Sequence, residues 1–353
     1  MEFYKLVYPL SYVFLVYERI CMQSNRKTNP SDDLSKWTDI NTWTPDDIPD
    51  MSGYRVLLTG ANGGIGAAIA LVLAQKGATI IMACRDKNKG EAVAASIKQQ
   101  CPEAKLIVEQ VDFNDLPSVY DLAARLIAKG EKLDLLYNNA GVIDLPLTLH
   151  DDDLDATFKK NYLSHFILTN ELINLLSNYS RIIFTGSTHH QYGRVDFDDL
   201  QSIKKHHGRA PYNNSKFMLM MYCMELSRRL AGTGITCVAA HPGFSATNIL
   251  TSTTGKDTNY LKQNFFKAVT NCFGQDPATG AIPLLYAGTG DRVNNGDYFG
   301  PSGFKQYRGS LQLTRCTKRV YDRQVAKELW DYSVKILNSL SPTEQSANKV
   351  CFK

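Results

Sequence analysis

The chain of 353 residues has no CxxC pair, no Cys/His cluster, no strong charge of either sign and no uncharged run long enough to span a bilayer. Each absence excludes something. Eight cysteines stand singly at positions 21, 84, 101, 223, 237, 272, 316 and 351, which argues against a zinc site and against a disulfide framework. Cys84 and Cys237 fall in strand-like apolar runs, where a thiol acts as a small hydrophobe. This usage fits an intracellular protein in a reducing compartment, either cytoplasmic or attached to a membrane facing the cytosol. The net charge is only +4, with basic residues scattered among nearly as many acids. The one basic run, Lys204-Lys205-His206-His207 with Arg209, is short and poor in aromatics, so it reads as a solvated loop and no nucleic-acid partner is expected.

The N-terminal apolar segment, Leu6 to Tyr17, holds twelve uncharged residues, short of the ~20 that a transmembrane helix needs. Pro9 interrupts it, and no small-residue cleavage pattern follows. Three readings fit residues 1–22: membrane-surface contact, since Tyr and Trp favour the headgroup level, a poorly ordered extension, or a segment packed on the domain. Residues 22–50 are polar and punctuated by Pro30, Pro45 and Pro49, as in a leader lying over the surface. With 44% apolar and 21% charged residues, the rest of the chain can bury a substantial core without disulfide or metal.

From about residue 54, short β-branched runs alternate with longer helical patterns. Strands are expected at Tyr54–Thr59, Thr79–Cys84, Leu106–Val111, Leu133–Tyr137, Arg181–Thr185 and Ile235–Ala240. Their apolar residues are mostly consecutive, as in strands covered on both faces. Helices are expected near 66–76, 88–100, 115–129, 151–177, 211–231 and 321–339. This rhythm predicts an α/β fold, a single doubly wound parallel sheet of Rossmann type with helices on both faces. The organisation is a leader over 1–50, one domain over 51–340 and a tail over 341–353. A homo-oligomer is compatible with it. Residues 244–275 have weak periodicity, and a loop that long inside a domain is often a functional lid.

The first strand runs into Thr59-Gly60-Ala61-Asn62-Gly63-Gly64-Ile65-Gly66, and an apolar helix follows. Glycines at 60, 64 and 66 let backbone N–H groups approach a pyrophosphate, and the helix N-terminus adds free donors and a favourable dipole. An acid at the end of the second strand would bind the adenosine ribose 2′-hydroxyl and repel a 2′-phosphate. Here Cys84 is followed by Arg85, which favours NADP(H) over NAD(H), unless Arg85 simply pairs with Asp86. Asp112, after the third strand, suits the adenine amino group, and Asp115 suits the start of the next helix. Asn138-Asn139-Ala140-Gly141 leaves the fourth strand at the carboxyl edge, where small Ala140 and Gly141 let the backbone pass close to a cofactor.

Tyr212 and Lys216 lie four residues apart on one helix face. A free phenol, with pKa ~10, is a poor acid or base near neutrality. A nearby ammonium stabilises the phenolate and brings it towards the working range, and Lys216 can also bind the nicotinamide ribose hydroxyls. Ser187 closes the fifth strand at the same edge and can hydrogen-bond the substrate oxygen. Asn161 sits mid-helix, against its propensity, which suggests a role holding a water in a proton relay. Pro242-Gly243 ends the sixth strand, and Thr247 follows within reach of a nicotinamide carboxamide.

In this order, TGANGGIG (59–66), NNAG (138–141), Asn161, Ser187, YNNSK (212–216) and HPGFSAT (241–247) resemble the short-chain dehydrogenase/reductase family over about residues 43–339. ACRDKNKGE (83–91), HHQYGRVDFDDL (189–200), GPSGF (300–304), ELWDYS (328–333) and TWTPDDIPDMSG (42–53) are similar to its retinol dehydrogenase-like group. The resemblance implies a Ser–Tyr–Lys–Asn tetrad with Tyr212 as acid/base, NADP(H) as cofactor, and an apolar alcohol or carbonyl substrate, retinoid-, steroid- or other aldehyde/ketone-like. Two positions depart from it: Gly186 stands where a serine is common, and Gly63 where the glycine motif usually has Ser. The pocket is expected from residues 188–211 and 244–275, which carry no legible motif. A different class of function remains open at this point, a cofactor-bound but non-catalytic regulatory or scaffold protein.

Overall fold

The computed structural model describes residues 40–143, 146–149, 152–244 and 275–340. Residues 1–22, and with them the N-terminal apolar segment, lie outside the described residues. Among those described, no helix is long and apolar enough to cross a membrane.

Eight strands form one sheet in the order β3-β2-β1-β4-β5-β6-β7-β8. They are β1 (Arg55–Thr59), β2 (Thr79–Cys84), β3 (Lys105–Gln110), β4 (Leu133–Asn138), β5 (Leu176–Thr185), β6 (Thr236–Ala240), β7 (Tyr298–Pro301) and β8 (Leu311–Thr314). All neighbours are parallel except β7 and β8. The doubly wound expectation therefore holds, with an antiparallel hairpin added at one edge. The order reverses direction between β1 and β4, and such a switch point opens a crevice at the carboxyl ends of the strands.

Among the described residues, seven helices cover the sheet: α1 (Gly64–Gln75), α2 (Lys87–Gln100), α3 (Leu116–Lys129), α4, α5 (Ala210–Arg229), α6 (Pro277–Thr289) and α7 (Arg323–Leu340). The composite α4 runs through Ala156–Phe158, a π turn at Lys159–Leu163, and Ser164–Leu172. Side chains alternate across each strand: Leu57 of β1 joins a core with α3, α4, α5 and α7, while Val56 and Leu58 join one with α1, α2 and α6. Burial on both faces is what made the strands read as consecutive apolar runs. Residues 40–50, expected within the surface leader, contribute Ile40 and Ile48 to the second core beside Met51, and Trp43 meets Tyr286 edge-on at 5.3 Å.

Four elements differ from the sequence reading, each for a local reason. Helix α6 was not expected, because Gly280, Pro283 and Gly288 lie inside it and disfavour helix. It forms anyway, capped by Asp276, whose Oδ1 accepts from the amides of Ala278 (2.9 Å) and Thr279 (3.0 Å), and buried against the sheet. Strands β7 and β8 have only four residues each, too short for a periodic signal. Strand β5 starts at Leu176, where a helix to 177 was expected, and its extra length goes with a register irregularity between Leu133 and Leu135.

Gly288 is where α6 touches β4 most closely: a Cβ there would lie 1.9 Å from Tyr137 Oη and 2.7 Å from Cζ. Overpacking of this kind costs about 1–3 kcal/mol. Gly288→Ala should lower the denaturation midpoint accordingly. Adding Tyr137→Phe should recover part of the loss, since that buried hydroxyl has no hydrogen-bond partner among the described residues. An unchanged midpoint in Gly288→Ala would contradict this packing account.

Candidate active site

The switch point is closed by one hydroxyl. Thr59, fully buried at the end of β1, donates from Oγ1 to the Tyr137 carbonyl (3.1 Å) and accepts from the amides of Asn139 and Ala140 (both 2.9 Å). Asn139 returns the contact, donating from Nδ2 to the Thr59 carbonyl (2.9 Å), while its Oδ1 accepts from Thr185 Oγ1 (3.2 Å). The ends of β1, β4 and β5 are thereby locked together.

Gly60 has φ +67°, and a Cβ there would lie 3.0 Å from Ala140 Cα, so the turn needs glycine on both grounds. At Gly66 a Cβ would lie 2.2 Å from the Gly60 carbonyl, which lets α1 start directly on the turn. Ile65 is buried beneath it and Asn62 is half-buried at its rim. Gly63 is the N-cap of α1, with no side-chain cap, and the space beside its Cα is open. The amides of Gly64, Ile65 and Gly66 belong to the first turn and lack intrahelical partners. An open cradle of bare donors at the positive end of a twelve-residue helix fits an anionic pyrophosphate.

Arg85 follows β2, exposed, and among the described residues its guanidinium has no hydrogen bond or ion pair. Asp86 does not pair with it. That carboxylate caps α2, accepting from the Lys89 amide (3.1 Å), with Lys89 Nζ at 3.7 Å. Arg85 is tied to the neighbouring strand through its carbonyl, which accepts from Gln110 Nε2 (3.3 Å). Two residues beyond Gln110, Asp112 is half-buried in a tight turn, its Oδ1 accepting from the Asn114 amide (2.9 Å). Asp115 takes the N-cap position of α3.

Asn161 lies in the π turn of α4, fully buried. Its side-chain amide clamps the chain beyond β4. Oδ1 accepts from the Val142 amide (2.8 Å), and Nδ2 donates to the Val142 carbonyl (2.9 Å) and Ser215 Oγ (3.0 Å). A π turn widens the helix locally and recurs at functional sites. His165, not singled out from sequence, completes the clamp: its Nε2 donates to the Ala140 carbonyl (2.8 Å). Burial lowers its pKa to about 3, so the imidazole is neutral. Its position four residues after Asn161 was the available signal.

Ser187 follows β5 and caps the 3₁₀ turn Thr188–Tyr192, its Oγ accepting from the His189 amide (3.2 Å). Tyr212, half-buried in the first turn of α5, has its ring edge-on to His189 (centroids 5.6 Å, 62°). The His189 ring is held through Nδ1, which lies 2.8 Å from Asn213 Oδ1. Lys216, one turn later, is buried, with Nζ donating to the Thr185 carbonyl (2.9 Å). A Cβ on Gly141 would lie 3.5 Å from that nitrogen. The ends of β4 and β5 and the start of α5 thus meet around one ammonium.

The departure at Gly186 has a steric cause. A Cβ there would lie 2.8 Å from Met220 Sδ and 3.1 Å from Tyr298 Cε2, so the buried Tyr298 ring takes the room that a serine would need. Gly243 turns the chain after β6 with φ +70°, and the Pro242 carbonyl accepts from Gln275 Nε2 (3.2 Å). Thr247 lies outside the described residues. Of the expected site residues that are described, the tetrad candidates and both turns share one end of the sheet, with Arg85 and Asp112 at the adjacent ends of β2 and β3.

Burial brings the Lys216 pKa down to about 8, and one pKa unit corresponds to about 1.4 kcal/mol. The unfolded chain therefore binds the proton more tightly, and the penalty on folding is full below pH 8. Stability from this group rises as the pH climbs from about 8 towards the ordinary lysine value. Lys216→Met should accordingly gain stability relative to wild type at pH 7, and the gap should shrink by pH 9.5. Paired thermal melts at the two pH values test this; a gap that widens with pH would refute it.

Comparison with known proteins agrees with this geometry. The short chain dehydrogenase family profile matches residues 54–258. Retinol dehydrogenase 14 of Mus musculus is 34% identical over 297 residues, covering 80% of this chain and 85% of the relative. Among solved structures, an uncharacterized protein from Mycobacterium paratuberculosis has a TM-score of 0.68 at 32% identity, covering 84% of this chain and 97% of the other. A short chain dehydrogenase from Burkholderia cenocepacia, solved in complex with NADP, has a TM-score of 0.55 at 25% identity, covering 70% and 96%. With its family profile, its relatives and its sheet in agreement, the chain belongs to the short-chain dehydrogenase family of oxidoreductases and is similar there to the retinol dehydrogenases.

Proposed function

We propose that the chain transfers hydride reversibly between NADP(H) and an alcohol or carbonyl group on an apolar small molecule. The observation that carries this reading is the meeting of Lys216, Thr185 and Gly141 one turn from Tyr212. An unprotected helix N-terminus lies on the same side of the switch point. The nicotinamide, when bound, supplies or takes the hydride. The proton and the orientation are the chain's own work.

In the reductive direction Tyr212 gives its phenolic proton to the carbonyl oxygen while Ser187 donates a hydrogen bond to that oxygen. Lys216 stabilises the phenolate left on Tyr212 and is held for this by Thr185. Asn161 keeps Val142, and therefore Gly141, beside Lys216. The turn at Gly60–Gly66 binds the pyrophosphate, with Thr59 and Asn139 bracing it. Asp112 would meet the adenine, and Pro242 and Gly243 would meet the nicotinamide; Thr247, assigned to its carboxamide from the sequence, lies outside the described residues.

The phosphorylated cofactor is supported by Arg85, since Asp86 is engaged in capping α2, and by the NADP held in the Burkholderia relative. The apolar substrate class is supported by relatives named retinol dehydrogenases. The 188–211 loop contributes a polar cavity of about 290 Å³, lined by Arg194, Asp196, Lys205, His207 and Asn213 among others. Those walls do not suit an apolar ligand. The other expected wall, 244–275, is mostly outside the described residues.

NADPH oxidation should be measured with a panel of aldehydes and ketones. Tyr212→Phe should lower kcat at least ~100-fold, the usual scale of general acid–base catalysis. NADPH binding with no turnover on any substrate would favour the non-catalytic alternative. Arg85→Ala should weaken NADPH binding about 10- to 100-fold with little effect on NADH, in line with ~1.5–3 kcal/mol for a charge-assisted hydrogen bond. An undiminished preference for NADPH in that variant would rule out this role for Arg85.

A further inference from the structure

Lys160 is a half-buried cation that nothing above uses. Its neighbour in the chain, Lys159, is fully engaged, with Nζ donating to both oxygens of Asp152 (2.9 and 2.7 Å). Lys160 has no hydrogen bond or ion pair among the described residues. It sits in the same π turn as Asn161, and its surroundings follow from how that turn is docked. One turn further along, Ser164 Oγ donates to the carbonyl of Phe113 (2.8 Å), the residue after Asp112. The Phe113 ring also meets His165 edge-on at 4.8 Å. The front of α4 is therefore fastened to the loop leaving β3, beside the end of β2 that carries Arg85.

The charged groups that act on the Lys160 ammonium are Asp112, Arg85, Lys159 and Asp155. Asp155, the weakest of these influences, caps α4 with Oδ1 through the amides of Thr157 and Phe158, and Lys159 is paired with Asp152. What remains is an exposed guanidinium and a half-buried ammonium, with one carboxylate between strand ends that already accepts from the Asn114 amide. Burial lowers the Lys160 pKa and Asp112 only partly opposes this, so the ammonium lacks a full counter-charge. An anion placed between Lys160 and Arg85 would supply one.

We infer that Lys160 is a second cationic ligand of the 2′-phosphate on the adenosine ribose, acting from the helix side while Arg85 acts from the end of β2. This rests on the NADP(H) reading given above and extends it to a residue outside the family's motifs. The two cations approach from different elements, so the pair grips a tetrahedral group from two directions, which neither could do alone. Lys160 would also offset the repulsion between Asp112 and a phosphate dianion, which a single exposed arginine would leave uncompensated.

The test is equilibrium binding, read by fluorescence titration, of NADPH, NADH and the fragments 2′,5′-ADP and 5′-AMP to wild type, Lys160→Met, Lys160→Gln and Lys160→Arg. Thermal melts verify the fold of each variant. Wild type should bind NADPH more tightly than NADH. Either neutral variant should weaken NADPH and 2′,5′-ADP about five- to tenfold, the scale of a partly exposed charge-assisted contact, and leave NADH and 5′-AMP within about twofold. Lys160→Arg should restore most of the loss, and the salt dependence of NADPH binding should fall in the neutral variants. Equal weakening of both dinucleotides would assign Lys160 to Asp112 alone and overturn the inference. So would an NADPH preference left unchanged in the neutral variants when wild type favours NADPH. A wild type with no preference would instead sink the cofactor reading on which it rests.

Discussion

The hydroxyl of Thr59 bridges the seam where the sheet reverses direction, and the rest of the site hangs from that bridge. Its three hydrogen bonds, to the Tyr137 carbonyl and from two amides beyond β4, use all the bonding capacity of one hydroxyl. Parallel strands at a switch point diverge, and their loops would otherwise be free to part. Because Thr59 is fully buried, breaking any one of these bonds would strand a polar group away from water, at a cost of about 1–3 kcal/mol. The crevice is thus held open at a fixed width by a network that no single loop could make. Asn139 and Thr185 extend the same network to β5, which fixes Ser187 and the carbonyl that receives Lys216.

A second constraint is electrostatic. The interior behind the site contains histidines whose charge burial removes: His165 and His241 are both brought down to about 3. They serve as neutral hydrogen-bonding struts, His165 for the Ala140 carbonyl and His241 for Gln306. Among these uncharged supports Lys216 is a buried cation one helical turn beyond the candidate tyrosine. A positive charge with few competitors acts over a longer distance in a poorly polarisable interior than it would at the surface. This is why the pair four residues apart on α5 differs from an exposed helix face with the same sequence.

Much of the architecture could be read from the chain because two-sided burial writes itself as unbroken apolar runs. Strand β2 was legible to the residue, and β1, β4 and β6 to within one. The glycine turn and the residues at the carboxyl edge were also legible, since each sits at an element boundary that sequence marks. What escaped was set by tertiary contact. Helix α6 carries two glycines and an internal proline and exists because the sheet face needs cover. The hairpin β7–β8 is too short for periodicity. Asn161 was noticed as an oddity in a helix, but its partners are nineteen and fifty-four residues away, and no local pattern encodes them. His165 lies within a stretch already singled out, yet its partner, the Ala140 carbonyl, is twenty-five residues away. The serine missing at 186 becomes intelligible only with the Tyr298 ring beside it.

The buried ammonium of Lys216 has a consequence beyond chemistry. A fold that carries an unfavourable charge in its interior is held below the stability its packing would otherwise give. Any ligand that binds the native chain and not the unfolded one returns some of that deficit, by RT ln(1 + [L]/Kd). The native population therefore depends on how much dinucleotide is at hand.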